Sequence, residues 1–459
     1  MALASKTKHA LHCCACIGFI VGFQLFAGGI RTGRHRFDDV RPLEDYGVVL
    51  TVILYVLRLL TLLPLPMCIF EFVGLLFFNA FPERPTLKGS PLLCPHVCVR
   101  VVTRGDYPQL VRDNVTRNVA TCLDVGMDNF SIEVVTDHAV RLPKSARVRE
   151  IVVPSSYKTK SGALFKARAL QYCLEDDVNS LSDDDWIVHL DEETLLTENS
   201  MRGIINFVMD GKRDFGQGLI TYANEDVVNW LTTLADMIRV AMDMGRIRAQ
   251  FRIFHRPLFA WKGSYVVARA RAERAVTFDH GPAGSIAEDS YFAIVAARDG
   301  YTFDFIDGEM WEKSPFTVHD FLQQRKRWMQ GIYLVVTASA LPWRNKWLLA
   351  VALYAWVTMP LATSNVVLAA IFPIPCPQVF DIVVCFTAGM TLYMYAFGVV
   401  KSFSAYRVGV VRLALLCAGA ICTIPFNVVI ENIAVTWALF GNKYRFYVVG
   451  KELKPAVIV

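Results

Sequence analysis

Asp185-Trp186-Ile187-Val188-His189-Leu190-Asp191-Glu192-Glu193-Thr194 is the stretch on which the reading of this chain turns. Trp186–Leu190 has the make-up of a buried strand, and it runs straight into carboxylates. Residues two apart in an extended chain project to the same side, so Asp191 and Glu193 can face one object. The most economical object is a divalent cation held by oxygen ligands. Such a cation would neutralise a diphosphate at the carboxyl end of a parallel sheet, where open α/β sheets bind ligands. The competing reading is an acidic strand-to-helix connection in which Glu192, Glu193 and Thr194 complement a following helix.

Outward from this strand, residues 91–315 alternate β-branched runs with amphipathic, charged segments. Val97–Thr103, Ile132–Thr136 and Ile151–Val153 read as further strands. Pro108–Leu123, Leu164–Leu174 and Thr197–Met209 read as helices between them. The alternation predicts an α/β domain built on a Rossmann-like, mostly parallel sheet, long enough to bury its own core.

The flanks are different. Of the whole chain 54% is hydrophobic and only 19% charged, against about 45–50% and about 25% in soluble proteins. Residues 10–30 can cross a bilayer, which takes about 20 residues, and they read as an anchor rather than a removed signal peptide. An arginine-rich loop follows (Arg31, Arg34, Arg36, Arg41). The apolar stretch 46–81 is too long for one simple span and is interrupted by Arg58, Pro64, Pro66 and Glu71. Residues 316–341 carry apolar side chains at three- and four-residue spacing, an amphipathic helix. Apolar blocks at 346–371, 379–400 and 410–440 come next, then a basic tail. The chain therefore divides into N-terminal membrane segments (1–90), a catalytic domain (91–315), an interfacial helix (316–345) and a C-terminal membrane region (346–459). A net charge of +5 is too slight to indicate nucleic acid. The 12 cysteines read as small buried hydrophobes, since Cys94 and Cys98 have no second pair at zinc-site spacing.

Four further groups carry chemistry. Asp137, just past a strand, can accept hydrogen bonds from a nucleobase or ribose, or simply start a turn. Lys158, Lys160, Lys166 and Arg168 bracket a probable helix start, where backbone amides also favour phosphate; a solvated basic face is the alternative. Glu288-Asp289 opens a probable helix and can complement its dipole or supply a general base, kept anionic by that helix end. In Gln324-Arg325-Lys326-Arg327-Trp328, Arg325 falls within the apolar stripe and needs an anionic partner, either a structural carboxylate or a diphosphate leaving group. Trp328 lies where it could stack on a sugar. Gly263, after Trp261, allows close backbone approach to a sugar or merely a tight strand start.

Taken in order, these elements resemble family 2 glycosyltransferases of the GT-A fold. That family has a nucleoside-contacting Asp, an Asp-x-Asp type metal motif, a catalytic Glu-Asp pair and Gln-x-x-Arg-Trp. They are matched here by Asp137, by Asp191 with Glu193, by Glu288-Asp289, and by Gln324, Arg327 and Trp328. The metal motif ends in Glu193 where the family pattern has Asp. Within the family the resemblance is closer still to animal glycolipid β-1,4-mannosyltransferases. It is carried by DWIVHLDEETLLTENS (185–200), GQGLITYANE (216–225), KSPFT (313–317), FLQQRKRWMQGI (321–332) and IPFNVVIEN (424–432). The resemblance implies inverting transfer of mannose from GDP-mannose to the glucose 4-hydroxyl of glucosylceramide, with Mn2+ or Mg2+ as cofactor. It also implies an integral protein of the endoplasmic reticulum or Golgi with a cytosolic catalytic domain. Donor contacts would come from Asp137, Lys160, Lys166, Asp191, Arg325 and Arg327, and acceptor contacts from Trp261, Gly263, Gln324 and Trp328. A processive cellulose- or chitin-type synthase using a UDP-sugar shares Gln-x-x-Arg-Trp, but three apolar stretches after the catalytic domain are few for a polymer channel. A non-enzymatic scaffold would have no need of the intact set of acids.

Overall fold

The computed structural model describes residues 2–30, 40–143, 145–222 and 227–451. Arg31, Arg34 and Arg36 of the basic loop, residues 223–225 of the stretch 216–225 and the basic tail at 452–459 lie outside the described residues. Seven strands are present: β1 Val97–Thr103, β2 Phe130–Thr136, β3 Val148–Val152, β4 Trp186–Asp191, β5 Phe215–Thr221, β6 Val266–Arg269 and β7 Phe303–Trp311. They form one sheet in the order β3-β2-β1-β4-β6-β5-β7. Every pairing is parallel except the two made by β6. The expected mostly parallel sheet is therefore present, with one reversed strand that the sequence did not reveal.

Helices cover the sheet, which is why β1 and β4 are buried on both faces. The helix Glu198–Asp210 begins with a reciprocal Thr197–Ser200 cap and ends on Gly211 in the left-handed conformation. Beneath the sheet's open edge sits a buried charge network. Arg100 of β1 is 1% exposed, and its guanidinium lies 2.9 Å from Glu133 of β2 and 2.9 Å from Glu273. Glu273 also meets His189 of β4 at 2.5 Å. A buried guanidinium persists only with such partners.

Among the described residues, four helices are long and apolar enough to cross a membrane, or five if the pair Trp343–Val357 and Met359–Ile371, bent by 47°, is one span. Pro42–Phe77 comprises two helices that meet near Pro64, at the interruption the sequence shows. The helix Trp230–Met242, continued by π-helical turns to Phe254, received no role from the sequence. It docks the catalytic sheet on the spans: a Cβ on Gly398 would lie 1.9 Å from the Met237 carbonyl oxygen. The helix Val318–Thr337 buries Phe321 against Ile430 and Met329 against Val435, so its apolar face is covered by the last span.

Replacing Arg100 by Leu leaves two carboxylates buried without their cation. Breaking a buried pair in this way costs about 3–5 kcal/mol, so the thermal midpoint of the purified protein should fall markedly; an unchanged midpoint would mean the network is dispensable.

Candidate active site

The reversed strand makes the site. Six parallel strands bring their carboxyl ends to one edge of the sheet, and antiparallel β6 brings its beginning to that same edge. Gly263 and Ser264, just before β6, thus reach the end of β4, where the Asp191 amide donates to Ser264 Oγ at 3.2 Å. Lys166, from the first turn of Phe165–Tyr172, enters from the side. Its Nζ lies 2.5 Å from Asp191 Oδ1, 3.1 Å from the Gly263 carbonyl oxygen and 3.8 Å from Glu288 Oε1. Glu288 and Asp289 open the helix Glu288–Arg298. A Cβ on Gly263 would lie 3.2 Å from Lys166 Nζ and 3.4 Å from both Asp289 Oδ2 and Glu288 Oε1. Glycine is what leaves this space open. Two bulky residues beside it, Phe165 and Tyr265, are held at positive φ, strain of the kind that gathers at functional sites.

Charge in the cluster is shared unevenly. Burial alone would lower Lys166, but Asp191 and Glu288 outweigh it and hold the ammonium above its usual range. Burial works to raise Asp191, and Lys166, then Lys451 and Arg327, hold it below the usual carboxylate range. Burial and the charge of Asp289 push Glu288 up to about 7. Burial raises Asp289 too, with Asp191 adding to it, against the Ser290 amide and Lys166. At this base burial thus works against the helix end, and the carboxyl lies above its ordinary value.

Glu193 is paired with Lys451, so each carboxylate of the motif faces a lysine. Divalent Mg2+ is held by one or two carboxylates plus substrate phosphates, and Mn2+ shares that oxygen preference. The two acids fit such an ion. Among the described residues there is no group of three or more His, Cys, Asp or Glu side chains placed to hold a metal, so substrate oxygens would complete the shell.

Residues 186–401 match the model of glycosyl transferase family group 2. The β-1,4-mannosyltransferase egh of Drosophila melanogaster is 63% identical over 450 residues, 98% of each chain. The β-1,4-mannosyltransferase bre-3 of Caenorhabditis elegans is 57% identical over 98% of this chain and 99% of its own. The chain belongs to the β-1,4-mannosyltransferases of glycosyltransferase family 2. A solved mannosyltransferase from Pyrobaculum calidifontis, in complex with GDP-mannose and Mn2+, shares the fold with a TM-score of 0.50 at 13% identity, covering 84% of this chain and 99% of that one.

The mannosyltransferase gathers Lys166, Asp191, Gly263, Glu288 and Asp289 at one point and sets the other expected residues around or away from it. Arg327 faces the cluster, near enough for its charge to act on Asp191 and Asp289. Its guanidinium donates to the Tyr447 carbonyl at 3.0 Å and lies 4.5 Å over Phe446. Asp137 accepts from Arg168 at 2.5 Å, and Lys160 stays exposed. Arg325 takes the structural alternative instead of the donor: it pairs with Asp236 and lies 3.2 Å from Glu431 of the last span. Trp328 stands between Arg239 and Arg325, 4.6 and 4.5 Å from their guanidinium carbons. Trp261, expected at the acceptor, is 6% exposed and packs edge-on against Phe251 and Phe303. It also lines the small cavity that holds Lys166, Gly263, Glu288 and Asp289.

Two residues escaped the sequence reading. Lys451 lies in the tail, where no motif marks it. Glu312 follows β7 as Asp137 follows β2, a signal that was available; it accepts from Thr194 Oγ1 at 2.7 Å, and burial with nearby Glu193 and Asp191 pushes it up to about 7.

Valine at Gly263 would fill the cradle and displace Lys166 from the acids. Misplacement of this order can cost about 10²-fold in rate; turnover should fall accordingly while far-UV circular dichroism is unchanged. The pH profile is a second check. The acid pair sheds its proton as pH rises, with Glu288 at about 7, so turnover should climb through neutrality and level off above it. A profile flat across neutral pH would contradict this.

Proposed function

We propose that the enzyme transfers one mannose, with inversion, from GDP-mannose to the 4-hydroxyl of the glucose of glucosylceramide. The observation that carries the reading is the meeting of Asp191, Lys166, Gly263 and the Glu288-Asp289 pair at one point. The printed activity of the relatives, β-1,4-mannosyl transfer, supports mannose as the sugar. The GDP-mannose and Mn2+ in the structural neighbour support the donor and the cofactor.

In this reading Asp289 accepts the proton of the attacking hydroxyl while Glu288 shares the negative charge. Asp191 and Glu193 would hold Mn2+ or Mg2+, which supplies positive charge for the donor diphosphate when bound. Asp137 contacts the nucleoside, Lys166 and Arg327 draw the departing diphosphate, and Trp328 and Gln324 serve the acceptor. The apolar helices within 1–90 and 346–440 hold the enzyme in the bilayer, 91–315 carry the chemistry, 316–345 lie between, and the chain beyond 440 returns to the metal motif at Lys451. An acceptor whose lipid tail stays in the membrane needs only to raise its sugar to the sheet edge.

The catalytic domain is placed on the cytosolic side of the endoplasmic reticulum or Golgi. This puts Lys401, Arg407 and Arg412 in the cytosol and the uncharged link 372–378 in the lumen, as the positive-inside rule prefers. The chain carries two glycosylation sequons, Asn114-Val115-Thr116 and Asn129-Phe130-Ser131, and a cytosolic domain leaves both bare; Asn114 is 8% exposed and donates to the Glu192 carbonyl.

A donor screen on purified protein, GDP-mannose against UDP-glucose with glucosylceramide as acceptor, should give a single added mannose; glucose transfer or a polymer would overturn the reading. General-base catalysis is worth about 10²–10⁴ in rate, so Asp289→Asn should lose that much transfer yet still bind GDP-mannose. Chelation should abolish transfer, and Mn2+ or Mg2+ should restore it.

A further inference from the structure

On the β7 side of the metal motif lies a cavity of about 420 Å³, within the size range of small-molecule sites. Its walls include Trp311, Glu312 and Ser314 from the end of β7 and the turn beyond it, together with Gln324, Glu193 and Lys451. Two residues of these walls, Ser314 and Gln324, each carry a side-chain oxygen that is closed off from solvent and has no hydrogen-bond partner among the described residues. Ser314 is 5% exposed. Buried polar groups in native proteins are nearly always paired, so two orphans on residues that line one cavity point to a ligand that brings its own hydroxyls and draws these side chains toward it.

The cavity is tied to the catalytic cluster by a short chain of hydrogen bonds. Thr194 Oγ1 donates to Glu312 at 2.7 Å and meets Ser264 Oγ at 2.8 Å. Ser264 Oγ in turn receives the Asp191 amide. In the strand order, β2 with Asp137 lies on one side of β4 and β7 with this cavity on the other. The helix Pro108–Asp124, which follows β1, closes the cavity with Leu110 and Asn114. A pyranose suits such walls, because its rim of hydroxyls can pair with Ser314, Gln324 and Glu312 while its C–H face lies on Trp311.

We propose that this cavity receives the saccharide headgroup of the acceptor, a neutral hexose on a lipid, with Ser314, Gln324 and Glu312 pairing its hydroxyls and Trp311 beneath its ring. The inference rests on the proposed transfer to a glycolipid and assigns three residues, Trp311, Glu312 and Ser314, to substrate choice.

The test uses the full chain in a non-glycosidic detergent. With a short-chain glucosyl lipid as acceptor, Ser314→Ala and Glu312→Gln should each raise the acceptor KM about tenfold, or about 1.4 kcal/mol, with the donor KM unchanged. Ser314 Oγ has no partner among the described residues, so Ser314→Ala should leave the thermal midpoint where it was, which a structural serine would not do. An unchanged acceptor KM, a raised donor KM, or a midpoint that falls with the KM would each overturn the proposal. Binding of octyl β-glucoside without any nucleotide separates this idea from the donor assignment. The wild type should bind it about tenfold more tightly than Ser314→Ala whichever nucleotide is the donor, and equal binding would sink the subsite alone.

Discussion

Three carboxylates from distant parts of the chain share one pocket of this enzyme because a lysine stands among them. Asp191 ends a strand, Glu288 and Asp289 begin a helix, and Lys166 reaches them from a third element. Burying acids together disfavours their charged forms through lost hydration and mutual repulsion. The lysine offsets this most strongly for Asp191, which it touches, and less for the Glu288-Asp289 pair, both of which are raised. One cation therefore keeps the metal-motif acid ionised while leaving Glu288 poised to exchange a proton near neutrality. That division of labour suits a site that must attract a cation with one acid and accept a proton with another.

The rest of the fold can be seen as support for that meeting. Antiparallel β6 delivers Gly263, whose missing side chain leaves room at the centre. Below, Arg100 ties β1 to β2 and, through Glu273, to His189 on β4. Above, the helix Val318–Thr337 crosses so near the acid pair that a Cβ on Gly331 would lie 2.6 Å from Ala287 Cβ. Arg325 fastens this helix to Asp236 and Glu431, and Trp356 donates to the same glutamate at 2.9 Å. The helices Val318–Thr337, Trp230–Met242 and Ile424–Phe440 thus share a buried ionic joint.

Much of this was legible in the residues. The strand Trp186–Leu190, the acids after it and the Glu288-Asp289 helix start were readable because each is a local pattern, a run of buried residues or a charge at an element's end. The conflict posed by Arg325 was visible too, as a charge in an apolar stripe. Which anion answers it was not, since Asp236 and Glu431 are separated from it by many turns of chain. Trp261 shows what a local pattern leaves open: it lines the small cavity of Lys166, Gly263 and the acid pair, as its place beside Gly263 suggested, while Phe251 and Phe303 pack against it from the core.

By itself, then, the sequence determined the first four strands and the helices between them, the apolar stretches and the acids at element ends, because helix and strand periodicity and carboxylate placement are properties of neighbouring residues. Only the tertiary structure decided that β6 runs backwards, that Lys166 rather than Lys160 joins the acids, that Arg327 faces the site while Arg325 turns away, and that Glu312 and Lys451 flank the motif. Those outcomes depend on which surfaces pack together, and packing is settled by desolvation and charge pairing between segments that no local pattern connects.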